Sequence, residues 1–83
     1  MLKVSVISPE RTLYEGEATS VVAPAYDGEV GILTGHAPMM ALLGRGTLRL
    51  EGASGQARFT VEGGFLQVVD DQVRVVTETA EQR

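Results

Sequence analysis

The sequence predicts an all-β domain, an antiparallel sandwich or flattened barrel, on three observations. Apolar and polar residues alternate in short runs. Ten Gly and three Pro are dispersed between those runs as punctuation instead of gathering into a linker or a repeat. Only residues 77–83 have plausible helical content, and seven residues fall below the roughly 12–15 at which an isolated helix becomes marginal. A chain of 83 residues holds one core. At that size folding buries only about 60–65% of the surface the unfolded chain exposes, which favours an interaction module over a self-contained enzyme.

Taken in order, Leu2, Val4 and Val6 alternate with Lys3 and Ser5, and Pro9 closes a first strand that ends near Ile7. A short second strand over 11–14 reaches Gly16, and a third over 18–23 carries Val21 and Val22 before Pro24. Residues 28–32 form a candidate strand interrupted by Gly31, and 33–38 read as a loop because Thr34, Gly35 and Pro38 favour turns. An apolar stretch over 39–43 follows. Gly44-Arg45-Gly46 is expected to turn the chain into a strand with one wet face, where Leu48 and Leu50 alternate with Thr47, Arg49 and Glu51. Residues 52–56 turn it back, so that Phe59 and Val61 pair with that strand as a hairpin. Gly63-Gly64 is expected to separate the next element, a second hairpin of 65–69 and 73–76 joined by Asp70, Asp71 and Gln72, with apolar residues of both parities.

The charge balance, seven Lys and Arg against eleven Asp and Glu, is −4 with no basic stripe, which argues against a reader of phosphate backbones. The absence of Cys excludes thiol nucleophiles, disulfides and thiolate metal sites. No apolar run approaches the roughly 18–20 residues of a membrane span, and no basic segment leads into an apolar run at the N-terminus, so a soluble, unexported chain is expected.

His36, the sole His, sits among turn formers in Gly35-His36-Ala37-Pro38, and no serine at 5, 8, 20 or 54 lies in a nucleophile-elbow context. Two readings of His36 stand: a loop imidazole bonded to backbone, or a contact residue on a partner-binding loop. Asp27 and Glu29 around Gly28 fit a solvated turn better than a cation site or an acid–base pair, and Asp70-Asp71 fits a soluble hairpin turn. The glycines form neither a phosphate loop nor a dinucleotide fingerprint. A lipoyl-type carrier would present a Lys on a hairpin turn, whereas the single Lys is Lys3 in the first strand. No catalytic residue, cofactor or metal ligand is expected.

The segment Asp27-Gly28-Glu29-Val30-Gly31-Ile32-Leu33-Thr34-Gly35-His36-Ala37-Pro38 closely resembles E-G-E-[LVF]-G-[IV]-x-x-G-H-A-P, a motif of the epsilon subunit of F-type ATP synthases. Flanking agreement extends the resemblance over essentially the whole chain. Residues 4–9 resemble the family's opening strand and 44–50 its turn and following strand. Gly63-Gly64-Phe65-Leu66-Gln67-Val68 resembles G-G-[FI]-x-[EQ]-V, and 73–80 resemble V-T-V-L-x-x-x-A. Asp27 departs from the more usual Glu and leaves the loop acidic.

That resemblance implies a two-layer antiparallel β-sandwich of about ten strands at the foot of a rotating central stalk. It implies contact with the c-ring at Asp27, Gly28, Glu29, Val30 and Gly31, and with gamma at Ser8, His36, Ala37 and Pro38. The chain would couple ion-driven rotation to the alpha–beta catalytic sites and itself catalyse nothing. It would lie on the cytoplasmic face of the bacterial plasma membrane, peripherally. Many family members continue past the position of Ala80 into two helices that can inhibit ATP hydrolysis and, in some, bind ATP. With the sequence ending at Arg83, the expectation is a single domain over 1–83 without that helical hairpin, its self-inhibition or an ATP site. The rival reading is a free-standing β-sandwich adaptor that binds another protein through 27–38.

Overall fold

A computed structural model describes residues 1–52 and 55–82. Every regular element in it is a strand: β1 (Leu2–Ile7), β2 (Thr12–Ala18), β3 (Ser20–Ala25), β4 (Gly28–Leu33), β5 (Met39–Leu42), β6 (Arg45–Gly52), β7 (Gly55–Val69) and β8 (Gln72–Gln82). They join in the order β2-β1-β8-β7-β6-β3-β4, with β5 added on β7. All ladders are antiparallel except β1 with β8, which is parallel from Lys3 opposite Gln72 to Ile7 opposite Val76.

This one sheet is folded into two layers by β7 and β8. The first half of β7 pairs with β6 (Arg45–Glu62 to Gly52–Gly55) and its second half with β5 (Met39–Val68 to Leu42–Phe65), while β8 follows it on the other edge. Each half counted separately, the strands number ten, as the resemblance implies. The fold is made at Gly63 and Gly64, whose φ values are 74° and 103°. A Cβ on Gly64 would lie 1.9 Å from the Val76 carbonyl oxygen, so only glycine allows the strands this close. Gly63 leaves the ladder without changing its register, since Glu62 faces Thr79 and Gly64 faces Thr77. Thr77, fully buried, donates its hydroxyl to the carbonyls of Thr79 (2.8 Å) or Glu62 (3.4 Å), so the corner buries no unpaired hydroxyl.

The core lies between the layers. Leu2, Val4, Val6, Leu66, Val68, Val73 and Val75 point in from one, and Val21, Ile32, Leu48, Leu50, Phe59 and Val61 from the other. Tyr14 meets Phe59 edge to face at 6.2 Å and lies over Gly16, where a Cβ would come within 3.2 Å of its hydroxyl.

Five local expectations change. Gly16 does not end a strand: β2 runs from Thr12 through to Ala18, because the missing side chain makes room for Tyr14. Pro24 lies inside β3 and pairs with Glu29, tolerated because the β6 ladder has already ended at Val22 and needs no donor there. Arg45 and Gly46 belong to β6 instead of a turn, since Gly46 packs under Pro24 with no room for a Cβ. Gly63-Gly64 bends β7 without ending it. Residues 77–82 are strand and not helix: the first half of β7 offers an unpaired edge, and Val61 opposite Ala80 and Phe59 opposite Gln82 fill it. The turn expected at 52–56 closes between Gly52 and Gly55, and Ala53 and Ser54 lie outside the described residues, as does Arg83.

Candidate functional site

The residues 27–38 form a strand with a loop at each end. Tyr26 and Asp27 make the two-residue turn between Ala25 and Gly28, which is opened by Gly28 at φ 132°. The turn is held against β5 by the Tyr26 N–H to the Leu42 carbonyl (2.8 Å) and an Ala25–Leu43 bridge. Asp27, Gly28, Glu29 and Gly31 are exposed and Val30 packs against the core. Six residues later, beyond Leu33, the chain leaves β4 for the loop that carries Gly35, His36, Ala37 and Pro38. The first expected contact set therefore runs from the turn at Asp27 into β4 as far as Gly31, and the second lies beyond the strand's other end.

Glu29 shares the outer face with Arg49, which is two strands away on β6, and the carboxylate and guanidinium stand 3.7 Å apart. Both side chains are about half exposed, so water screens the pair and it contributes little to stability. At the other end His36 is half-buried, with its N–H on the Leu33 carbonyl (3.1 Å) and Nδ1 2.7 Å from the Ala37 carbonyl oxygen. The backbone-bonded imidazole anticipated from the turn formers is present. Ala37 and Pro38 are exposed.

Ser8 is not brought to His36. It follows Ile7, at the Val76 end of β1, whereas Gly35 bonds Asp71, whose carbonyl meets Lys3 at the opposite end. Ser8 instead shapes the β1–β2 turn: its N–H and hydroxyl both reach the Arg11 carbonyl, at 2.9 and 3.1 Å. What lies between the two ends is the outer face of β1, β8, β7 and β5. A row of apolar residues crosses it, Ile7, Val76, Phe65 and Leu42, with Met40 beside them. Leu42 and Met40 are 66% and 65% exposed, and Tyr26, whose N–H bonds the Leu42 carbonyl, is 80% exposed. Next to this row the outer face of β1 and β2 holds an open groove of about 580 Å³, where Lys3 and Arg74 face Glu15 and Glu17. Among the described residues no group of three or more His, Asp or Glu is placed to hold a metal ion.

The family described as "ATP synthase, Delta/Epsilon chain, beta-sandwich domain" matches residues 1–83. The chain belongs to that family. Among curated relatives, the ATP synthase epsilon chain of Rhodopirellula baltica is 48% identical over 79 residues, which is 95% of this chain and 62% of the relative. That of Leptospira borgpetersenii is 47% identical over 77 residues, 93% of this chain and 61% of the relative. The chain thus spans about three fifths of the length of these epsilon chains. Among solved structures, a chain of the Euglena gracilis mitochondrial ATP synthase (OSCP, F1 and c-ring, rotational state 1) superposes with a TM-score of 0.89 at 24% identity, covering 98% of this chain and 52% of that one. A chain of the Tetrahymena thermophila mitochondrial ATP synthase central stalk and c-ring gives 0.79 at 17%, covering 96% and 65%. At these identities the likeness establishes the shared β-sandwich fold.

Two features of the site had no clear signal in the sequence. Arg49 shows as an ordinary wet-face residue, and its meeting with Glu29 depends on β3 lying between β4 and β6. Asp71 shows as a soluble turn residue, yet its carboxylate bonds a backbone N–H 36 residues away.

Proposed function

We propose that the chain acts as the epsilon-type β-sandwich of an F-type ATP synthase, a non-catalytic part of the central stalk that joins gamma to the c-ring. In this reading Asp27, Gly28, Glu29, Val30 and Gly31 meet the c-ring, and Ser8, His36, Ala37 and Pro38 meet gamma. The complex stands on the cytoplasmic face of the bacterial plasma membrane. The observation that carries the proposal is membership of the delta/epsilon family over all 83 residues, with every residue of the motif 27–38 exposed except Val30, Ile32 and His36.

The geometry suits a part that transmits torque. The two loops of the motif are joined by β4, whose backbone is locked to β3 over six residue pairs, so a force on the Glu29 end is passed along a ladder and not through a flexible linker. A single partner touching both Ser8 and His36 crosses the outer face with its apolar row, and burial of exposed Leu42 and Met40 there would favour association.

Reconstitution with cognate alpha, beta and gamma chains tests this directly. The expected result is co-purification with gamma. A folded sample that fails to bind gamma removes the proposal and leaves the free-standing adaptor reading.

A further inference from the structure

The turn between β7 and β8 joins three separate stretches of the chain through one residue. Asp70 and Asp71 both have left-handed backbone, φ 49° and 61°, the conformation of a tight two-residue hairpin and one that Asp tolerates better than most side chains. This turn aims both acceptors of Asp71 away from its own hairpin. Its carbonyl takes the Lys3 N–H at 2.8 Å, at the start of β1. Its carboxylate Oδ1 takes the Gly35 N–H at 2.7 Å, a short, charge-assisted bond. Gly35 is itself at φ 86°, a left-handed conformation that glycine adopts without strain.

The consequence falls on the loop 34–38, which carries the chain from β4 in one layer to β5 in the other. Among the described residues, its other hydrogen bonds are to itself or its neighbour: His36 N–H to Leu33 and His36 Nδ1 to Ala37. Among the described residues, the Asp71–Gly35 bond is its one hydrogen-bonded tether to the rest of the molecule. We infer that Asp71 is the positioning residue of this loop: by holding the Gly35 N–H from a left-handed turn, its carboxylate fixes the conformation in which His36, Ala37 and Pro38 are presented to a partner protein. The partner's identity as gamma rests on the function proposed above. The tether itself does not.

Three variants separate the hydrogen bond from the turn. Asp71→Gly keeps a residue at ease in the left-handed region and removes the acceptor, Asp71→Asn keeps an acceptor and the turn, and Asp71→Ala loses both. Amide hydrogen exchange, read residue by residue by NMR, is the first measurement. In Asp71→Gly the Gly35 amide should exchange about tenfold or more faster, while Leu66 and Val75 in the core keep their protection. Asp71→Asn should retain most of the Gly35 protection, with its amide resonance shifted by loss of the charged acceptor. Unchanged Gly35 exchange in Asp71→Gly overturns the inference. So does an unshifted Gly35 resonance in Asp71→Asn, which decides the matter should the glycine variant not fold. The second measurement is affinity for gamma, expected to fall roughly three- to tenfold in Asp71→Gly and to recover in Asp71→Asn. Equal affinity of wild type and Asp71→Gly overturns the positioning role. If the wild type itself does not bind gamma, the proposed function falls, and the exchange data alone judge the tether.

Discussion

At the scale of single residues, Glu29 is the position where charge and function are most easily separated. Its carboxylate faces Arg49 at 3.7 Å, yet both groups are about half exposed, so the pair contributes no more than about 1 kcal/mol. Glu29→Gln should therefore shift the unfolding free energy by less than about 1 kcal/mol in a urea titration. Glu29→Lys, which sets two cations on one face, should cost only slightly more. With the fold intact, the proposed contact predicts that Glu29→Lys weakens c-ring engagement and lowers ATP-driven proton pumping in the assembled enzyme. Pumping equal to wild type would remove Glu29 from the interface. The acidic character of this turn was legible in the sequence, since Asp27 and Glu29 flank a glycine. Arg49 as its neighbour was not, because the contact is made across an intervening strand and leaves no local spacing to read.

At the scale of elements, the molecule turns on the corner in β7. Gly64 has φ 103°, and a Cβ there would sit 1.9 Å from the Val76 carbonyl oxygen and 2.8 Å from the Thr77 Cα. Gly64→Ala has to open the β7–β8 ladder or distort the backbone, at a cost on the order of 2–4 kcal/mol. Gly31, in the middle of β4, is the control: nothing lies within 4 Å of its would-be Cβ and its φ is ordinary, so Gly31→Ala should change stability by less than about 0.5 kcal/mol. Chemical denaturation of both variants checks the contrast, and equal stabilities would refute the corner. Alternation made β1, most of β6 and the first hairpin legible, whereas the second hairpin carries apolar residues of both parities and is read from its Asp70-Asp71-Gln72 turn. What misled was punctuation. Gly16, Pro24, Gly46 and Gly63-Gly64 look like breaks, but each sits where a strand needs a missing side chain or a sharp bend, or, at Pro24, where no donor is required. Over 77–82 the helical tendency loses to the free edge of β7, a long-range partner that no local window contains.

At the scale of the whole molecule, β7 and β8 each belong to both layers, so neither layer has a complete set of ladders without the other. Phe59, in the first half of β7, reaches from one layer to the other. It is fully buried, opposite Leu48 on β6 and Gln82 on β8, and its ring meets Tyr14 from the other layer. Loss of the ring in Phe59→Ala leaves a cavity facing both layers and should cost about 3–5 kcal/mol. Because a domain this small has a total stability on the order of 5 kcal/mol, that variant should be largely unfolded near room temperature in isolation. The shared strands make a second, sharper demand on the wild type. Far-ultraviolet circular dichroism follows the ladders of both layers, and the change in tyrosine absorbance follows Tyr14 in the interlayer contact because Tyr26 is already 80% exposed, so the two must melt together as one transition. Separate midpoints would mean that one layer survives the other. That outcome is incompatible with strands that cross between layers through a two-glycine corner, and it would also weaken the case that force applied at Glu29 reaches His36 through a single rigid body.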